Sequence, residues 1–138
     1  MLNELWKDRF RGQIPRENYE MLLLHGEQQG LMIHLYGSFH HVTLNFGIAQ
    51  ALNIMDEGVQ LYDPPGVTFV NQGELHRTGF PDTLYQVENG AYATYIKACM
   101  STNLYEAMNL RQYNLVTLNY VVEIICATEP TITVTNIQ

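Results

Sequence analysis

Three histidines, His34, His40 and His41, fall within eight residues, and His76 follows later in the run Gly73-Glu74-Leu75-His76-Arg77. Imidazoles on neighbouring strands are a common way to hold a transition metal, so His34, His40 and His76 form a candidate ligand set. His40 and His41 are consecutive on one strand and point to opposite faces, so only one of them can join that set. Paired carboxylates for acid–base chemistry would be Asp56 with Glu57, or Asp63 with Glu74. Cys99 and Cys126 both lie in apolar stretches with no histidine beside them. They read as buried free thiols of a reducing compartment, not as a nucleophile or a disulfide. Ser38, in Gly37-Ser38-Phe39-His40, reads as a strand connection rather than a nucleophile elbow. No phosphate-binding loop or dinucleotide fingerprint occurs, and no catalytic motif stands out.

The stretch Val67–Val87 has a glycine three residues ahead of His76 and Gly79-Phe80-Pro81 behind it. Over about twenty residues it resembles the second metal motif of cupins. The first cupin motif needs two histidines one residue apart and then a glutamate. Here His34 and His40 are six apart, His40 and His41 are adjacent, and the next acids are as far away as Asp56 and Glu57. Half of the pattern is therefore missing. A metal-dependent barrel enzyme on His34, His40 and His76 ranks last of the readings developed below, and no cofactor is expected.

Chemistry this sparse turns attention to the surface. Only 15% of the 138 residues are charged, against about 25% in an ordinary soluble domain. Asn, Gln, Thr and Tyr stand in their place. Charge keeps folded surfaces apart, so its scarcity points to surface covered by protein. The net charge of −7 argues against nucleic acid as a partner. Charge is also uneven along the chain. Residues 1–16 carry Lys7, Arg9, Arg11 and Arg16 against Glu4 and Asp8, while the remainder holds three bases and twelve acids. A basic leader on an acidic body is expected to dock on a neighbouring copy. No signal peptide, lipidation signal or apolar membrane span is read, so synthesis in a cytoplasm is expected, with later incorporation into a virion compatible.

Leu2, Leu5, Trp6 and Phe10 share one side of a helix that ends at Gly12, and Pro15 opens a second helix closed by Gly26. Leu31–Tyr36 and His40–Phe46 alternate as strands. Residues 48–57 have helical spacing in Ile48, Ala51, Leu52 and Met55, although Ile48, Leu52 and Ile54 also fit one strand face. Val59–Tyr62 and Val67–Val70 read as short strands around the turn Asp63-Pro64-Pro65-Gly66. Asn89-Gly90 predicts a type I′ hairpin between Leu84–Glu88 and Ala91–Ala98. Asn103 with Glu106 predicts a capping box for a short helix whose inward stripe is Leu104, Ala107 and Met108. Residues 115–126 read as one strand, apolar on one face and half-dry on the other. Thr131–Thr135 alternates without charge or proline and is expected at a sheet edge.

The expected fold is α+β and β-rich over a single domain, 1–138. It comprises a basic amphipathic arm or helix at 1–12 and a β-rich body at 31–138. The body is one mainly antiparallel sheet or small sandwich, preceded by two N-terminal helices and carrying one or two inserted ones. The first functional expectation is a non-enzymatic, self-associating structural or adaptor component of a larger assembly, such as a phage or virus particle. Its contacts with itself and other assembly proteins would run through Trp6, Phe10, Thr131, Ile132, Val134 and Ile137. The second is an oligomeric binder that sequesters a metabolite or nucleotide. Tyr92 and Tyr95 would line its pocket between subunits, and Arg77 or Arg111 would hold a phosphate. An inhibitor or immunity protein fits the same acidity and size.

Overall fold

The alternation of residues 31–46 governs one of two sheets. The computed structural model describes residues 2–56, 67–118 and 120–137. Among these, ten strands and three helices follow in order. The first six strands are β1 (Leu2–Lys7), β2 (Glu20–Gly26), β3 (Gly30–Tyr36), β4 (His40–Gly47), β5 (Ala49–Asp56) and β6 (Val67–Phe69). Helix α1 (Gln72–Arg77), strand β7 (Leu84–Glu88) and helices α2 (Ala91–Cys99) and α3 (Leu104–Ala107) come next. Strands β8 (Arg111–Val116), β9 (Tyr120–Cys126) and β10 (Thr131–Asn136) complete the order. A four-stranded antiparallel sheet runs β10-β4-β3-β2, and a six-stranded sheet runs β5-β9-β8-β7-β1-β6, antiparallel except for the β1–β6 pair.

Leu31, Ile33 and Leu35 with Val42, Leu44 and Phe46 form the inner face of the smaller sheet, all fully buried. They pack in one cluster with Leu84, Tyr113, Leu115, Val122, Ile124 and Cys126 of the larger sheet. The two sheets therefore form a sandwich, whose aliphatic filling supplies most of the hydrophobic stabilisation. The other face of the six-stranded sheet carries Trp6, Tyr85 and Val87, packed with Leu75 of α1 and with Phe80. It also carries Glu4, Asn53, Gln112, Asn114 and Glu123, as the ladder registers show. The chain crosses from one sheet to the other at Gly47, where φ is +68°. Gly30, with φ +72°, lies so close that a Cβ there would fall 2.4 Å from the Gly47 carbonyl oxygen. Only glycine fits both the dihedral and the approach.

The chain is α+β and strand-rich; of the two arrangements expected for the body, its two sheets match the sandwich and not the single sheet, and the two N-terminal helices do not form. The first expected helix is β1, in which Glu4 and Trp6 point inward. A carboxylate on the buried face disguises the two-residue period. The second gives way to an irregular segment and edge strand β2, and Phe10, Ile14 and Tyr19 plug the main core. Residues 49–56 are strand, not helix, because β9 offers a free edge that takes them into a ladder. The hairpin expected at Asn89-Gly90 is also absent. β7 already pairs with β1 on one side and β8 on the other, so no edge remains for Ala91–Ala98, which coils into α2 instead. Gly90 has extended geometry there and caps the helix.

Asn103 makes no side-chain cap, and Leu104 and Ala107 are exposed. The single strand expected over 115–126 is instead split between β8 and β9, which pair antiparallel and are largely buried on both faces, and this explains the dry second face. β10 does lie at a sheet edge. Val59–Tyr62 and the turn 63–66 lie outside the described residues. Among those described, no helix is long and apolar enough to cross a membrane.

The basic leader folds onto its own body. Lys7 pairs with Glu88, Arg9 with Glu129 and Arg11 with Asp82. These three groups have their ionic partners within the chain. Trp6 and Phe10, expected at a contact between copies, are 3% and 5% exposed and belong to the interior of the fold.

Candidate functional site

Helix α2 lies over the polar stripe of the six-stranded sheet and leaves a cavity of about 460 Å³ beneath it. That volume suits a small organic molecule. Its walls include Met55, Phe69, Ala91, Tyr92 and Tyr95, together with two glutamates, Glu4 and Glu123. Among the described residues, none that lines the cavity is basic.

The glutamates differ in how they are held. Glu4, from β1, accepts hydrogen bonds at both oxygens: Trp6 Nε1–H donates to Oε1 at 2.8 Å, and the Ala91 amide donates to Oε2 at 2.7 Å. The Ala91 amide is the first of α2, so the positive end of the helix dipole faces this carboxylate. Glu123, from β9, has only neutral side-chain amides. Asn53 Nδ2 donates to Oε1 at 3.0 Å and Gln112 Nε2 to Oε2 at 3.3 Å. The Gln112 amide is oriented by the Ala93 N–H, which donates to its Oε1 at 3.0 Å. Burial, reinforced by the nearby Glu4 charge, pushes the Glu123 carboxyl up to about 7. Burial likewise raises the Tyr92 hydroxyl above its ordinary range.

The arrangement therefore offers a carboxylate anchored by N–H donors, a second carboxyl poised between its neutral and ionised forms, and an apolar, aromatic wall. Such a pair can accept a positive charge or exchange a proton.

The network explains why residue 90 is glycine. A Cβ there would sit 2.0 Å from Gln112 Oε1. Gly90→Ala is expected to displace the Gln112 amide, orphan the Ala93 N–H and lower stability by about 1–3 kcal/mol, the usual range for overpacking. Thermal melts of the two proteins check this.

The sequence candidates divide around the site. Tyr92 and Tyr95 both line this cavity, whose described walls come from one chain. Arg77 and Arg111 are not among its lining residues. Arg77 is exposed on α1 beside Glu74, and Arg111 opens β8 opposite Cys126. Where a phosphate was to sit, the wall holds carboxylates.

The three candidate metal ligands are dispersed. His34 stacks on His41 on the outer face of the smaller sheet, with His34 Nδ1 and His41 Nε2 3.1 Å apart. His40 pairs with Glu17, and His76 stands exposed on α1 against the Phe80 ring. Among the described residues no three His, Cys, Asp or Glu side chains gather as a metal site.

Of the carboxylate pairs, Glu57 and Asp63 lie outside the described residues. Cys126 is buried, with its thiol pushed up to about 11 by burial, whereas Cys99 is exposed rather than packed. Thr131, Ile132 and Val134 lie on β10 and Ile137 just beyond it. All are exposed except the half-buried Ile132.

Glu4 and Glu123 themselves escape a reading of the sequence. The usable signal is Glu123 alone among Val121, Val122, Ile124 and Ile125, since an acid inside an apolar run is a candidate buried charge. Compared with known protein families, curated proteins and solved structures, the chain matches none.

Proposed function

We propose that this chain is a non-enzymatic binding protein that holds a small organic molecule in the cavity beneath α2. The observation that carries this reading is the cavity itself: about 460 Å³ of space walled by aromatic and aliphatic side chains, with two buried glutamates aligned by N–H donors. A chain that needed only a stable fold would gain by filling that space and replacing the carboxyls with aliphatic groups.

Native mass spectrometry of protein taken directly from producing cells tests the reading. The expected result is a non-covalent small-molecule adduct, released on denaturation and missing from Met55→Trp, which fills the cavity. An unliganded parent that also shows no response to a fragment library at the cavity would overturn it.

A second reading, self-association as a structural component of a larger assembly, is favoured by β10. This strand closes one edge of the four-stranded sheet, and from Thr131 to Ile137 it carries no charge. The Ile137 N–H donates to the Phe39 carbonyl at 2.9 Å. By the antiparallel alternation, the N–H groups of Thr133 and Thr135 also face β4, while those of Ile132, Val134 and Asn136 face outward. A second copy, related by a two-fold axis, would extend the sheet through these outward groups. Val134→Pro removes one of them without touching the β4 ladder. It is expected to convert an oligomer to monomer in light scattering while leaving the circular dichroism spectrum unchanged. A monomeric parent would contradict this reading.

A further inference from the structure

We infer that the ligand of the cavity is an organic ammonium ion, with its charged head between Glu4 and Glu123 and its apolar body against Met55, Phe69 and the tyrosine rings of α2. The inference rests on the small-molecule reading above. It begins from an imbalance of charge: two buried carboxyls share one cavity, and among the described residues no lysine or arginine lines it. Glu4 is compensated by the amide end of α2 and by the Trp6 indole. Glu123 has only the amides of Asn53 and Gln112. A cation placed between them supplies the missing partner for Glu123 in a setting of low dielectric, where an unpaired charge is most costly.

Aromatic walls add attraction for a cation, particularly one with a diffuse charge on an organic frame. A bare divalent metal fits less well. It wants six or more oxygen ligands, or histidine and cysteine, and the described lining supplies two carboxyls, one amide and two tyrosines among apolar groups. An anion would meet like charge with no donor array to offset it.

Binding of this kind carries a proton signature. The titratable groups facing Glu123 are Glu4 from β1 and Tyr92 and Tyr95 from α2, while β5 and β8 present the amides of Asn53 and Gln112. Without a cation, burial and the Glu4 charge keep the acid mostly neutral up to about pH 7. A bound ammonium reverses that preference, so Glu123 releases its proton as the ligand enters. Affinity therefore rises with pH from about 6 to about 8, below the range in which an alkylamine itself deprotonates.

Isothermal titration calorimetry on the full chain tests this with three probes of one shape: phenethylammonium, 2-phenylethanol and phenylacetate. The ammonium is expected to bind at least about tenfold more tightly than the alcohol at about pH 7.5, and phenylacetate more weakly still. Its apparent enthalpy should depend on the ionisation heat of the buffer, which reports the released proton. Glu123→Gln is expected to bring the ammonium and the alcohol to similar affinity and to remove the buffer dependence. The comparison among probes on the unaltered chain needs no variant, so it stands even if that substitution perturbs the fold. Alcohol or carboxylate binding as tight as the ammonium overturns the cation inference and leaves the small-molecule reading intact. Failure of all three probes to bind overturns the inference, and with it the small-molecule reading if native mass spectrometry also finds no adduct.

Discussion

Glu4→Ala is expected to lower the stability of this protein by about 3–6 kcal/mol, because two buried N–H donors lose a charged acceptor worth about 1.5–3 kcal/mol each. The donors are the Trp6 indole and the Ala91 amide, and Glu4 is 3% exposed, so water does not readily replace the carboxylate. Trp6 is also the centre of the smaller apolar cluster, where it packs on Tyr85 and Phe80 at 5.5 and 5.6 Å between ring centroids. Loss of its anchor loosens the contact between α1 and the sheet as well as the start of α2. Glu4→Gln keeps one acceptor oxygen and should cost roughly half as much. Urea unfolding of the three proteins measures the difference. Glu4→Gln also removes the neighbouring charge that helps keep Glu123 protonated, so in that variant Glu123 should titrate closer to an ordinary glutamate.

Stability is expected to fall as the pH rises from about 5 to about 8. Glu123 holds its proton in the folded protein up to about 7, whereas 4.5 is the ordinary value for an exposed glutamate. Below 4.5 both states are protonated and this group favours neither. Between the two values the folded chain retains a proton that the unfolded chain has released, so raising the pH favours unfolding. With about 1.4 kcal/mol for each tenfold difference in proton affinity, the loss approaches about 3 kcal/mol once the pH exceeds 7. Glu123→Gln resembles the neutral acid in shape and cannot ionise. It should be about 3 kcal/mol less sensitive to pH over the same interval and the more stable of the two proteins at about pH 8. Denaturant unfolding at the two ends of the interval checks this. A pH dependence identical in parent and variant would mean that Glu123 is solvated and that the cavity is not the low-dielectric site described.

The parts of the fold that could be read from the sequence are those in which one face is wholly apolar and the other mostly polar. Leu31–Tyr36 and His40–Phe46 satisfy that condition, and Thr131–Thr135 does so at an edge. The N-terminal strand was hidden because Glu4 occupies an inward position, so the period of two passed for a helical stripe through Leu2, Leu5 and Trp6. Asn89-Gly90 is a strong local turn signal, but pairing is decided by which edges are free, and β7 had none. Tertiary competition of this kind is invisible along the chain. The site was half legible. Tyr92 and Tyr95 stood out as aromatic residues on a charge-poor chain, while the polar wall could not be found because Glu4 and Glu123 come from opposite ends of it. The phosphate-binding role expected of Arg77 and Arg111 has no support in the geometry. Of the four basic residues at the N-terminus that looked available for another subunit, Lys7, Arg9 and Arg11 have partners in the same chain, at Glu88, Glu129 and Asp82.

The most direct test is an NMR titration with phenethylammonium, following the methionine ε-methyl resonances and the glutamate side-chain carboxyl carbons. The expected result is a set of shifts confined to Met55, Glu4 and Glu123, with the Glu123 carbon moving from its neutral to its ionised position. Unmoved cavity resonances, or shifts centred on Met32 near the half-buried His34 and His41 rings, would contradict a cation site beneath α2.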